Sequence, residues 1–384
     1  MNQVRLGIIG MGHIGKYHAD YLLQHKVSRC ELVAVCSRSL AASGKYTSLR
    51  IFTDANDLIK SREVDAVIIA TPHLQHAPLG IAALGAGVHV LVEKPIAWHK
   101  ADAERLVAAH QKSPRVVFAA MLQLRAEPRY LKIQQLIREG ALGQIVRVNW
   151  INTDWYRTEA YYASSDWRAT WKGEGGGVLL NQCLHNLDMM QWLCGMPQRL
   201  RAFCQFGRFH NIEVEDQVTA WLEWADGATG AFIGSSGEAP GANRFEIAGT
   251  RGALLLENNR LTLRRNDADM IQFSRTARAG FLKPEVRNEE IPFEDAALPH
   301  AAMTQNFVNA ILDGQPLIAP GEEGVHSVEL ANAMVYSSLL GQTVELPMSG
   351  AVWEKKLQEL IAESKVEKKG VKVAADDFAG SFRK

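Results

Sequence analysis

No stretch of this chain approaches the ~20 consecutive apolar residues that a helix needs to cross a bilayer, so no membrane partner is expected. The early apolar run in MNQVRLGIIGMGHIG lacks a small-residue cleavage pattern and leads straight into a glycine loop, which marks a strand rather than an export signal. An excess of one charge is also missing. The 42 basic residues are balanced by 42 acidic ones, and no basic run is interleaved with aromatics, so no nucleic-acid face is expected. Cysteine is scarce and unpatterned: positions 30, 36, 183, 194 and 204 are odd in number and contain no C-x-x-C pair. Free packing thiols in a reducing, cytoplasmic compartment follow from this, with no disulfide framework and no metal site. Internal repeats are absent. What is present is the composition of an ordinary globular core and, at 384 residues, room for about two domains of roughly 150 residues each.

The first part of the chain alternates short β-branched runs (4–10, 31–37, 65–71, 89–94, 115–121) with helical stretches (14–26, 77–86, 100–112). Apolar runs without alternation suit strands buried on both faces, and the strand–helix rhythm predicts an α/β, doubly wound parallel sheet of the Rossmann type. From about residue 150 the pattern changes to alternation of apolar and polar residues, at 147–155, 216–225, 229–236, 243–250 and 253–265. These read as strands of a large open antiparallel sheet in an α+β domain, joined at Asp226-Gly227 and Asn258-Asn259. Helices are expected at 177–194, 301–313 and 324–341, with a charged helix at 353–368 before a polar tail. The domains are placed at 1–123 for dinucleotide binding, 124–350 for substrate binding and oligomerisation, and 351–384 for the terminal helix and tail. Trp221, Leu222, Trp224 and Phe232 mark a sheet face of mixed polarity suited to a homodimer or homotetramer.

Gly10-Met11-Gly12-His13-Ile14-Gly15 follows a strand and opens a helix, the context in which G-x-G-x-x-G binds a dinucleotide. The first glycine allows the tight turn, the second lets backbone approach a pyrophosphate, and the third lets helix pack on strand. Orphan N–H groups and the positive dipole end of the helix then meet the phosphates. The second strand ends Cys36-Ser37-Arg38, without the carboxylate that would bind a ribose 2′-OH and repel a 2′-phosphate. Ser37 as a donor and Arg38 as a phosphate partner favour NADP over NAD; an Arg38 that is merely solvated, or stacked on adenine, leaves NAD usable.

Ligands of parallel sheets sit outside the carboxyl ends of the strands, so Thr71-Pro72-His73, with His76 beyond, and Glu93-Lys94 should border the nicotinamide. Desolvation of a lysine ending a buried strand lowers its pKa and suits it to proton donation or to polarising a reacting oxygen; a structural ion pair is the alternative. In the 177–194 helix, Asn181, His185, Asp188 and Trp192 fall on one stripe behind a glycine-rich entry, and a polar stripe on an apolar helix needs partners. The segment 152–172 is dense in rings and charges, among them Trp155, Arg157, Tyr161, Trp167 and Arg168. It suits the apolar faces and hydroxyl edges of a small polyhydroxylated substrate, or else a lid or subunit contact.

With Thr71-Pro72, Glu93-Lys94-Pro95, Gln123-Leu-Arg125-Ala-Glu-Pro128 and the Gly175–Asp188 segment in their order, the chain resembles the Gfo/Idh/MocA family of oxidoreductases over roughly residues 4–345. The resemblance implies a Rossmann domain for NAD or NADP and reversible oxidation of a secondary alcohol to a ketone on a sugar, cyclitol or glycoside. It places the catalytic lysine at Lys94, and the D-x-G-x-H pattern at Asn181 to His185, with His185 as the base. Lys94, Arg125, Trp155, Tyr161, Trp167, Arg168, Asn181 and His185 are then expected around substrate, and Gln123 beside the cofactor. Gln123 and Arg125 have holding the two domains together as an alternative. Two departures stand out. Asn181 replaces an aspartate and carries no charge, and Cys183 replaces a glycine. Asp188 is expected to support the fold rather than the chemistry. A glycosidase or lyase that oxidises a sugar carbon transiently on tightly bound NAD(P) is the alternative activity, and a non-catalytic binding module is a third reading.

Overall fold

A computed structural model describes residues 2–38, 46, 48–294, 298–368 and 370–371. Strands β1 (Val4–Ile9), β2 (Cys30–Cys36), β3 (Arg50–Phe52), β4 (Ala66–Ile69), β5 (His89–Val92) and β6 (Phe118–Ala120) alternate with helices α1 (His13–Leu23), α2 (Ala55–Lys60), α3 (His76–Gly85) and α4 (Lys100–Gln111). They form a six-stranded parallel sheet in the order β3-β2-β1-β4-β5-β6. All four residues of β4 are buried, as a strand covered on both faces requires. The order reverses between β1 and β4, and such a switch point opens a ligand crevice at the strands' carboxyl ends. Sequence periodicity passes over β3 and α2, which at three and six residues are too short to show a period.

The second unit begins with α5 (Pro128–Arg138), β7 (Ile145–Asn152), α6 (Glu159–Ala163) and α7 (Leu184–Cys194). Strands β8 (Arg199–Phe206), β9 (Glu215–Glu223), β10 (Thr229–Ser235), β11 (Asn243–Gly249), β12 (Gly252–Glu257) and β13 (Arg260–Asn266) follow. The rest is α8 (Met270–Thr276), β14 (Val286–Ile291), α9 (Pro299–Asp313), α10 (Gly324–Leu340), β15 (Val344–Glu345) and α11 (Gly350–Glu363). The nine strands lie in the order β14-β13-β12-β11-β7-β10-β9-β8-β15. Every pairing is antiparallel except β7 with β10, so the sheet is mixed. Asn258 and Asn259, both at positive φ, make the β12–β13 hairpin turn that two such residues favour.

One face of this sheet is core and the other is open. Trp150 stacks on Phe245 at 4.0 Å beneath it, each fully buried large side chain contributing on the order of 2 kcal/mol. The expected mixed-polarity face is corrected by the pleat. Leu222, Phe232 and Trp224 are buried on or beside the core, whereas Trp221, one residue out of phase, is 49% exposed beside Phe203 at 60%. The division of the chain is also less clean than its order: α9 packs on α1, β1 and β5, and α11 on α4, both within the parallel-sheet unit. The last helix ends at Glu363 rather than 368, and the polar tail from 372 lies outside the described residues. No described helix is long and apolar enough to cross a membrane.

Candidate active site

The glycine loop is shaped by close approaches that only hydrogen tolerates. Gly10 has φ +100°, and a Cβ there would stand 2.6 Å from the Ala70 carbonyl oxygen; at Gly15 it would stand 1.9 Å from the Gly10 oxygen. Gly12 differs, with open space on its side, and it precedes α1 without any side-chain cap. A helix N-terminus without a side-chain cap, beside open space, fits a pyrophosphate. Arg38 is exposed past the end of β2. On the crevice side, Thr71 Oγ1 and His73 Nδ1 are buried without partners. His76 is used differently: its two ring nitrogens sit 2.7 Å from the Thr71 and Pro95 carbonyl oxygens and brace the two loops that follow β4 and β5.

Lys94 emerges from β5 and donates from Nζ to the Asn181 backbone oxygen at 2.9 Å. Burial pushes the ammonium below its ordinary range, against the pull of Glu93 and Glu174. Glu93 lies beneath it. Its Oε1 meets His18 Nε2 at 2.7 Å, and its Oε2 accepts the Lys94 N–H at 3.1 Å. Burial acts to raise the Glu93 pKa, but the His18 hydrogen bond and the nearby charges of His18, His300 and Lys94 together leave it lowered.

The expected helix 177–194 is shorter than its apolar pattern suggests, and its expected entry is hydrogen-bonded to β9. Gly177 and Leu179 donate to Glu215 Oε1 at 2.9 and 3.1 Å, and Val178 donates to the Glu215 carbonyl at 2.9 Å. Irregular turns follow to Cys183, and α7 begins at Leu184. Asn181 therefore stands outside the helix, and only His185, Asp188 and Trp192 keep the stripe. The stripe faces the turn 123–126. Gln123 Nε2 is 3.1 Å from His185 Nε2, Arg125 grips Asp188 with Nε at 2.9 Å and Nη2 at 2.7 Å, and its guanidinium lies 5.5 Å from the Trp192 ring.

Burial, with the Lys94 charge second, drives the His185 pKa well below its ordinary 6.5, so the ring is neutral near pH 7. Its Nδ1 is buried without a partner, and so is Gln123 Oε1. Turning the Gln123 amide to present Oε1 lets that oxygen accept the His185 Nε2–H, and Nδ1 is then left with a free lone pair. Gln123, expected at the cofactor, contacts the His185 ring. Arg125, expected at substrate, is fully buried with its guanidinium bonded to Asp188 and Glu323.

The sequence reading passes over Glu174 and Glu215. Glu174 is 1% exposed; its Oε1 accepts from Asn181 Nδ2 and its Oε2 from the Ala169 N–H at 2.6 Å. The uncharged Asn181 therefore links Lys94, through its carbonyl, to a carboxylate held seven residues upstream. An acidic residue directly before Gly175-Gly176-Gly177 is the one sequence sign of it. Glu215 departs from the alternation of β9 because the register shifts between Gln205 and Phe206, turning its side chain inward. Its Oε2 has no partner, and burial raises its pKa to about 7.

A carboxyl group whose folded pKa stands above its unfolded value of 4.5 favours the fold fully below that value and progressively less as pH rises through about 7. Relative to wild type, Glu215→Gln should therefore gain about 2 kcal/mol between about pH 5 and about pH 8.5. Denaturant unfolding at the two pH values reads this directly, and parallel pH dependences would refute it.

Around Asn181 stand the expected substrate residues. Tyr161 Oη meets Asn181 Nδ2 at 3.4 Å, Gln182 Nε2 at 3.1 Å and Arg168 Nη1 at 2.6 Å. Trp167 packs edge-on against His73 at 5.8 Å, and Trp155 lies against Arg157. Elsewhere His99, Asp102 and Glu354 bring three potential metal-ligand atoms within 4.8 Å, but Arg105 donates to both carboxylates.

Residues 4–121 match the oxidoreductase family model for an NAD-binding Rossmann fold, and 130–255 match the Gfo/Idh/MocA C-terminal domain. An inositol 2-dehydrogenase of Salmonella typhimurium is 30% identical over 195 residues, 50% of this chain. That match spans only 54% of the relative's own length. A 1,5-anhydro-D-fructose reductase of Ensifer adhaerens is 26% identical over 89% of this chain and 98% of its own. The WlbA dehydrogenase of Bordetella pertussis, solved with NADH and UDP-GlcNAcA, superposes with a TM-score of 0.76 at 27% identity, covering 90% of this chain and all of that one.

Proposed function

The chain belongs to the Gfo/Idh/MocA oxidoreductase family, and from that premise we propose that it interconverts a secondary alcohol and a ketone on a sugar, cyclitol or glycoside. The observation that carries this reading is the pairing of Lys94 with a neutral, buried His185 beyond the carboxyl ends of the parallel strands. Gly10–Gly15, Thr71 and His73 would hold a nicotinamide dinucleotide, which would supply a hydride acceptor or donor. His185 takes the hydroxyl proton on Nδ1, Gln123 fixes the ring, and Lys94 holds and polarises the same oxygen from its perch on the Asn181 carbonyl. Burial keeps water from competing for His185.

A panel of sugars, cyclitols and glycosides with NAD and with NADP, followed by nicotinamide absorbance, tests the reading. Co-purified dinucleotide and product release without net absorbance change would instead support transient oxidation by a glycosidase or lyase.

Ser37 and the exposed Arg38, with no carboxylate at the end of β2, support a preference for NADP. Arg38→Ala should raise KM for NADP by about tenfold or more while changing KM for NAD much less, the effect of one charge-assisted contact. An equal shift for both cofactors would point to NAD. The open sheet face bearing Phe203 and Trp221 supports a homodimer or homotetramer. Light scattering of wild type and of Trp221→Lys should give a lower mass for the variant.

A further inference from the structure

Beside Asn181, five side chains alternate ring and cation. The Arg157 guanidinium lies 5.3 Å from the Trp155 ring and 5.1 Å from the Tyr161 ring. Arg168 lies 4.3 Å from the Tyr161 ring and 4.7 Å from that of Trp167. The series is tied to the reacting end of the site at two points. Tyr161 Oη contacts Asn181, whose carbonyl holds Lys94, and Trp167 contacts His73.

Rings occupy the faces of a guanidinium, while its N–H donors lie in the plane at the edge. Those edges are largely unused here. The side-chain bond of Arg157 is Nη1 to the Tyr156 carbonyl at 2.9 Å. Arg168 gives Nη1 to Tyr161, and its Nε is buried without a partner. Neither arginine forms an ion pair among the described residues. The carboxylates whose charge reaches Lys94 are spoken for: Glu93 by His18 and the Lys94 N–H, Glu174 by Asn181 and the Ala169 N–H. Glu174 also feels the Arg168 charge. The Arg157 and Arg168 charges both act on Lys94, and neither guanidinium is bonded to these carboxylates. Two stacked guanidiniums with spare edge donors match the planar or tetrahedral oxygens of an anion.

We propose that Arg157 and Arg168 form a receptor for an anionic group, a carboxylate or a phosphate, carried by the polyhydroxylated substrate. The proposal rests on the alcohol–ketone reading of the same site and narrows its substrate class to acidic sugars or sugar phosphates.

Calorimetric titration of the full chain with bound dinucleotide tests it, using glucose, glucuronate and glucose 6-phosphate and the matching galactose set. At least one acid should bind about tenfold or more tightly than its neutral parent. The uronate and phosphate arms tell the two anions apart. Arg157→Gln and Arg168→Gln should each lower that acid-to-neutral ratio by about tenfold, and Arg157→Lys should restore part of it by keeping the charge. Acids that bind no better than their neutral parents, no binding by any acid, or a ratio unchanged in both glutamine variants overturns the proposal. Turnover separates it from the reading beneath it. An acid bound through Arg157 with no hydride transfer leaves the receptor standing and removes the alcohol–ketone reading. Oxidation of neutral sugars with no preference for acids does the reverse.

Discussion

His185→Ala should lower kcat by about 10²–10⁴-fold while the dinucleotide still binds, because a positioned general base contributes about that much. Lys94→Ala should fall in the same range, since it removes the group that meets the developing charge on the substrate oxygen. The two substitutions act on one proton and one oxygen, so their combined loss should be well below the product of the single losses. The pH profile carries a second signature. Burial and the Lys94 charge depress the His185 pKa, so the neutral, proton-accepting form persists to more acid pH than for a free histidine of pKa 6.5. Activity in the oxidative direction should therefore show no histidine-like fall near that value. Lys94 is depressed too, so the alkaline fall should begin below the 10.5 of a free lysine. Steady-state kinetics on the two variants, with dinucleotide binding followed by fluorescence, decides the matter; wild-type turnover in either would remove the assignment. Gln123→Leu is the finer probe. It leaves the base present but frees its ring, so kcat should drop by less than in His185→Ala.

Arg125→Met should destabilise the protein by about 3–5 kcal/mol, the usual consequence of leaving one member of a buried ion pair alone. Arg125 is fully buried and forked onto Asp188, which is 1% exposed and also accepts from Gln191 Nε2 at 2.9 Å. The pair joins the turn after β6 to the middle of α7, and Glu323 ties the same guanidinium to the start of α10. Asp188→Asn should be damaging for the same reason, because the cation then lacks its counter-charge. Arg125→Met with Asp188→Leu should cost far less than the sum of the single changes, since no uncompensated charge stays buried. Chemical denaturation of the set measures this coupling, and additive losses would refute it. A stability loss in Arg125→Met with KM for substrate unchanged would also separate the domain-holding role from substrate contact.

The primary sequence alone determined the parallel-sheet domain and the glycine loop, and it singled out Lys94 and His185 as candidates. These are written in local terms: unbroken apolar runs for strands covered on both faces, glycines where backbone must approach backbone, and an apolar helix carrying a polar stripe. Tertiary structure decided what the local pattern could not carry. Glu215, turned inward by a register shift, takes the N–H groups of residues 177–179, and Asn181 lies outside α7 and offers Lys94 its carbonyl. Gln123 reached His185, and Arg125 reached Asp188, across more than 60 residues of chain. Glu174 brings a carboxyl group to Asn181, which has none of its own. The pleat turned Trp221 outward while burying Leu222 and Phe232. Each of these depends on which segments become neighbours and on which groups burial leaves without water, and residue order specifies neither until the chain has folded.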